Sequence, residues 1–206
     1  MAPDFEKTLV GFDVGELDRH RGAVFGLWPD LTLAYLNPAW FAFAAANDGD
    51  EIPARWGLGR YVLEAVPDVL DRFYRRLYME RLEKAWIRTP YPLAHSYECS
   101  SATVYRRFAM HVYALRRGKG LLVVNSPFVE SPHGADRPAA NGTDAAYRNA
   151  EGLVLQCAHC RRVESQRLAG SWDWVPRWVD EPPKGVVAAL CEVCRDYYYP
   201  DERTTR

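Results

Sequence analysis

The chain has 206 residues, 48% of them hydrophobic and 26% charged, with a formal net charge of −1. That composition fits a soluble globular protein of one ordinary domain plus a smaller module, and it gives no electrostatic ground for nucleic acid or an anionic membrane as partner. No apolar run is long enough to span a bilayer. The N-terminus MAPDFEKTLVGFDVGELD is acidic where a signal peptide would be basic, so the expected compartment is the cytoplasm.

Residues 1–22 set Leu9, Val10, Phe12, Val14 and Leu17 among charges and read as an arm or short helix. AVFGLW (23–28) and LTLAYLN (31–37) flank the turn residues Pro29 and Asp30, the pattern of a β-hairpin. Asn37 then stands where a helix cap belongs, with Pro38 at the first helical position and Gly49 and Pro53 as stop signals. GRYVLEAV (59–66) is a short helical piece. Residues 67–86 form the strongest helix pattern, with Leu70, Phe73, Leu77, Leu82 and Ala85 on one stripe, flanked by Tyr74, Tyr78 and Trp86, and the arginines off it. Three strand candidates follow at 92–100, 103–115 and 118–128, the last two joined through RRGKG. The order β-β-α-α-α-β-β-β predicts an α+β fold, a five-stranded antiparallel sheet with helices on one face. Residues 129–150, rich in Pro, Gly, Ala and Asn, read as a linker, and a second module is expected over 151–206.

Five cysteines remain to be explained. Cys157-x2-Cys160 and Cys191-x2-Cys194 are two matched steps, and Cys99 stands alone. Two C-x-x-C knuckles supply four soft anionic sulfurs, the donor set of a closed tetrahedral Zn2+ site. A closed shell leaves no position for water, so the metal is structural. Covalent haem would need His after Cys160, where Arg161 stands; a redox dithiol would need one C-x-x-C step at a strand-to-helix turn. Trp172, Trp174 and Trp178 are candidates for a small core in the intervening loop, and His159 reads as a solvated knuckle residue. Segment 151–206 carries eight basic and nine acidic residues, which favours a protein-contact face over nucleic-acid binding.

The element order over residues 20–128, with LTLAYLNPAWFAFAA entering the first helix and YRRFAMHVYALRRGKGLLVVNS as the last two strands, resembles a PAS domain. The segment from Leu155 to Pro200 is similar to cysteine-rich tails attached to some bacterial PAS and response-regulator signalling proteins. It departs from them at Glu192, where Pro is common, and in an enlarged middle. The resemblance implies a signalling context and, between sheet and helices, a cavity for a small ligand. Here that cavity would be lined by Tyr35, Phe41, Trp56, Tyr61, Phe73, Tyr97, Cys99, Phe108 and His111, although aromatics at such places ordinarily fill a core. A flavin photosensor of this family would need a helix cysteine, and 38–86 has none; a haem sensor would place His on the long helix, and 67–86 has none, which leaves only His95 and His111 on strands. Cys99 would be redox-sensitive only if Arg106 and Arg107 lowered its pKa. No phosphate loop, nucleophile elbow or H-E-x-x-H segment occurs, so the expectation is a non-enzymatic module that dimerises and contacts a separate kinase or regulator. The alternatives are a redox switch through oxidation of zinc thiolates, and a sensor of haem or another small ligand.

Overall fold

A computed structural model of the chain describes residues 1–45, 56–86, 91–134 and 137–202. It is an α+β structure with two sheets. The larger contains β1 (Val24–Leu27), β2 (Leu33–Leu36), β3 (Leu93–Glu98), β4 (Val104–Ala114) and β5 (Leu121–Pro132), antiparallel in the order β2-β1-β5-β4-β3. Three helices belong to the same part of the chain: α1 (Val14–Arg19), α2 (Pro38–Ala45) and α3 (Asp68–Glu83). The stop signals expected for α2 at Gly49 and Pro53 lie outside the described residues. By contacts the chain gathers into two compact units. The first comprises Met1–Val66, Tyr74–Ser96 and Ala109–Pro127; the second comprises Pro67–Phe73, Tyr97–Phe108 and Phe128–Arg206.

In the first unit, the β1–β2 turn forms because Leu31 adopts φ 64° and the Asp30 carboxylate accepts from the Thr32 amide and hydroxyl. Every residue of β1 and β2 is buried, which requires cover on both faces of these strands. On one face Phe5, Leu9 and Leu17 of the N-terminal segment pack with Val24, Tyr35 and Leu122. Gly26 leaves the space that the Phe5 ring occupies, and a Cβ there would run into it. On the other face Phe25 meets the Trp40 ring of α2 at 5.3 Å. The expectation of helices on one face is therefore corrected: α1 and the turn before it cover the second, because strands apolar on both sides cannot leave either exposed.

α3 buries Leu70, Tyr74, Leu77, Tyr78 and Leu82 as its periodicity predicts. Arg81 departs from the expected solvent face. It is 7% exposed, and its guanidinium donates to the carbonyls of Val112 (3.1 Å) and Tyr91 (3.0 Å). Burial lowers its pKa from the usual guanidinium value.

Asn37 does more than begin α2. Its Oδ1 accepts from the Trp40 amide (3.0 Å), the expected cap, and also from the Val24 amide (2.9 Å). Its Nδ2 donates toward the carbonyls of Leu17, His20 and Gly22 at 3.0–3.3 Å. One fully buried amide thus ties strand, helix and N-terminal segment together. Asn37→Ala strands the buried Val24 amide and removes the side-chain acceptor of the Trp40 amide, which keeps the Asn37 carbonyl, and is expected to destabilise the first unit by about 1–3 kcal/mol. Urea denaturation checks this, and a loss below about 1 kcal/mol would show that water replaces the amide.

The second unit is built on a four-stranded sheet: β6 (Val154–Cys157), β7 (Val163–Glu164), β8 (Trp172–Asp173) and β9 (Val186–Ala189), in the order β8-β7-β6-β9. β6 pairs with β9 in parallel, and the other pairs are antiparallel. Two short helices, α4 (Arg177–Asp180) and α5 (Glu192–Tyr198), complete it. Its core contains Ala146, Tyr147, Val154, Val163, Val175 and Trp178.

Much of the segment expected as a linker belongs to this unit. β5 runs on to Pro132, the Ala140 amide donates to Trp174 O (2.8 Å), and Tyr147 is 1% exposed with its hydroxyl on Asp173 (2.9 Å). Small residues in 139–146 permit close approach here: a Cβ on Gly142 would crowd Val175 and Trp178. The unit also takes in chain from before residue 128. Tyr199 donates to Val69 O (2.8 Å), Phe73 meets Tyr198 edge-on at 4.8 Å, and Arg137 forms a two-pronged pair with Glu98 at 2.7 and 3.0 Å.

Candidate metal centre

The four paired cysteines converge through the parallel register of β6 and β9. Cys157, the last residue of β6, pairs with Ala189, the last of β9, and Cys191 follows two residues later. The first knuckle closes when the Arg161 amide donates to Cys157 O (3.0 Å) and the Cys157 amide to Arg162 O (2.7 Å). Arg161 takes φ 62° at the end of this turn, a position that glycine would occupy without steric cost. In the second knuckle Cys191 is the N-cap of α5 and Cys194 lies in its first turn, with the Arg195 amide on Cys191 O (2.8 Å). Two thiols thereby sit at a helix N-terminus, where the backbone dipole favours negative charge.

All four sulfurs lie within 4.8 Å of one another, and Cys160 Sγ and Cys191 Sγ are 3.8 Å apart. A tetrahedral zinc site with Zn–S bonds of ~2.3 Å requires sulfurs about 3.8 Å apart. The cysteines are 0–8% exposed and none is in a disulfide. Trp172 and Leu190 pack against them. The donor set and spacing fit a divalent, thiophilic metal such as zinc.

The electrostatics point the same way. Hydrogen bonds from Cys160, Cys191 and Cys194 push the Cys157 thiol far below the ordinary range, and the hydrogen bond with Cys157 pushes Cys160 and Cys194 far above it. Four thiolates within this radius repel one another, and a dication removes that conflict while closing the coordination shell.

His159, expected to be solvated, is half-buried. Its Nδ1 shares a 2.7 Å hydrogen bond with the buried Tyr198 hydroxyl, and its ring meets Tyr197 at 5.8 Å. Burial lowers its pKa. Aromatic residues 197 and 198 of α5, next to the second knuckle, were the missed signal for this packing.

The nine residues proposed to line a ligand cavity are divided between the units. Tyr35, Phe41, Trp56, Tyr61 and His111 belong to the first; Phe73, Tyr97, Cys99 and Phe108 belong to the second. Tyr35 packs on the face covered by Phe5 and donates to Asp18 (2.5 Å). Phe41 is 42% exposed on α2, and Tyr61 accepts from Arg75 (2.6 Å). Tyr97 and Phe108 do meet, stacked at 5.4 Å. His95 is buried edge-on against Tyr74 at 6.0 Å. For Cys99, burial pushes the thiol pKa up and outweighs the opposing pull of Arg161 and Arg106, which removes the condition for a reactive thiolate.

No family model matches the chain, and no curated protein matches it. Among the described residues no helix is long and apolar enough to cross a membrane.

Proposed function

We propose that the chain is a cytoplasmic signal-sensing or docking module, a PAS-like domain joined to a structural zinc module, which acts through protein–protein contacts rather than by catalysis. The observation that carries this reading is the closed group of four buried cysteines. Four thiolates leave a metal no open position for substrate or water, so the centre serves to hold the fold of the unit around it. The sheet order and the hairpins at both ends of the first domain support the PAS likeness.

A contact role is supported by α2. Its sequence PAWFAFAA is apolar on every side, yet Phe41 and Phe43 are 42% and 39% exposed. Neighbouring exposed aromatics of this kind mark interaction surfaces more often than solvent faces. The partner is a second copy of the chain, and through the dimer a separate kinase or regulator. Sedimentation equilibrium of the full chain tests this: the wild type is expected to be dimeric and Phe41→Glu monomeric. A wild type that stays monomeric at high micromolar concentration would contradict the dimer.

A further inference from the structure

The formal net charge of −1 hides an uneven distribution within the first unit. A depression of about 210 Å³ there is lined by Lys7, Thr8, Val10, Arg116, Arg117 and Lys119. Lysines and arginines dominate this lining, and no acidic side chain is part of it. Lys7 is engaged by the neighbouring Asp4 carboxylate. Arg116, Arg117 and Lys119, in the turn from β4 to β5, are exposed, and among the described residues their side chains form no ion pair or hydrogen bond. Arg117 takes φ 60° and ψ 29°, a left-handed conformation that glycine adopts without steric cost. A strained residue whose side chain makes no polar contact within its own fold marks a contact made with something else.

We infer that this depression binds a compact polyanion with adjacent phosphoryl groups, either a free oligophosphate or a lipid headgroup that carries two phosphates. Three unpaired cations around one depression repel one another, and an anion of several charges offsets that repulsion in proportion to the charge it brings. Guanidinium forks and an ammonium group both suit tetrahedral phosphate oxygens. The volume is that of about seven waters, enough for a short chain of phosphoryl groups and too small to enclose a nucleoside as well. The lining agrees, because it has no aromatic ring on which a base could stack and no carboxylate or amide side chain to read one. A phosphoryl chain packs more charge into such a space than a polycarboxylate does, which sets it ahead of citrate-like anions and acidic peptides. Val10, 62% exposed at the same depression, offers an apolar foothold to a lipid surface that a soluble anion would not use. The site shares no residue with the α2 contact proposed above or with the cysteine group.

Amide NMR titration of the full, metal-loaded chain reads both affinity and place. Ligand bound here shifts Arg116–Gly120, whereas extraction of metal by an oligophosphate would disturb β6 and β9 instead. With orthophosphate, pyrophosphate and tripolyphosphate as probes, affinity is expected to rise about fivefold with each phosphoryl group added. It should fall as salt is added, and citrate should bind more weakly than pyrophosphate. Arg117→Gly relieves the left-handed strain, so it is expected to fold as stably as the wild type while binding tripolyphosphate about fivefold more weakly. Arg116→Gln combined with Lys119→Gln should weaken it further. Sedimentation with phosphatidylcholine vesicles, with and without cardiolipin, separates the two sources. Cardiolipin-dependent binding that tripolyphosphate displaces assigns the ligand to a headgroup, and absence of vesicle binding assigns it to a soluble oligophosphate. Tripolyphosphate no tighter than orthophosphate overturns the proposal. So does citrate equal to pyrophosphate, or undiminished tripolyphosphate binding by a folded Arg117→Gly or by the double variant.

Discussion

Cys191→Ser is expected to abolish stoichiometric zinc binding and to unfold the second unit. Cys191 ends the loop after β9 and caps α5, so its sulfur joins the two knuckles across the 3.8 Å approach to Cys160. Structural zinc contributes on the order of 10 kcal/mol in small modules, comparable to the whole stability of a typical domain. Among the described residues, one apolar cluster of the unit holds six buried residues. The unit has too little apolar burial to absorb such a loss. Amide exchange reads the outcome directly: protection across the β6–β9 pairing at Val154 and Val187 should collapse in Cys191→Ser and persist in Cys99→Ser. Cys99 is the internal control because it lies outside the four-sulfur group. Retained protection in Cys191→Ser would show that the apolar core suffices without the fourth ligand.

The second large effect is expected at Arg137. Its side chain and that of Glu98 are only 11% and 8% exposed, and the pair is joined by two hydrogen bonds. Glu98 also accepts from the Ser100 hydroxyl at 2.7 Å. Arg137→Ala leaves a buried carboxylate with that single neutral donor and removes the cation–π contacts to Tyr105 and Trp174. The expected cost is about 3–5 kcal/mol, most of it the penalty on the abandoned charge rather than the worth of the pair. Glu98→Leu combined with Arg137→Met should recover much of it, since replacing both members of a buried pair by apolar groups is often neutral. An Arg137→Ala loss below about 1 kcal/mol would mean that the pair is effectively solvated.

Different physical signals made parts of this structure readable from sequence. The β1–β2 hairpin was legible because Pro29 and Asp30 separate two β-rich runs, and α3 because its apolar residues recur at helical spacing. The metal group was legible because C-x-x-C fixes two sulfurs on one turn whatever the rest of the fold does. Pattern could not show that β6 and β9 pair in parallel, the feature that brings the two steps together, because both are four-residue strands without alternation. Nor could it show the burial of Arg81, since charge predicts exposure unless the carbonyls that receive the guanidinium are known. Residues 129–150 read as a linker because their small residues mask two anchors, Ala146 and Tyr147. For Cys99 the neighbouring arginines left the direction of the pKa shift open, and burial raises it.

Metal analysis of the chain purified without added metal, combined with thiol titration, tests the central claim most directly. The structure predicts one zinc per chain, four thiols that react only after a strong chelator is added, and loss of β6–β9 amide protection at that same step. A folded chain that carries no metal, with those thiols freely titratable or joined in disulfides, would contradict it.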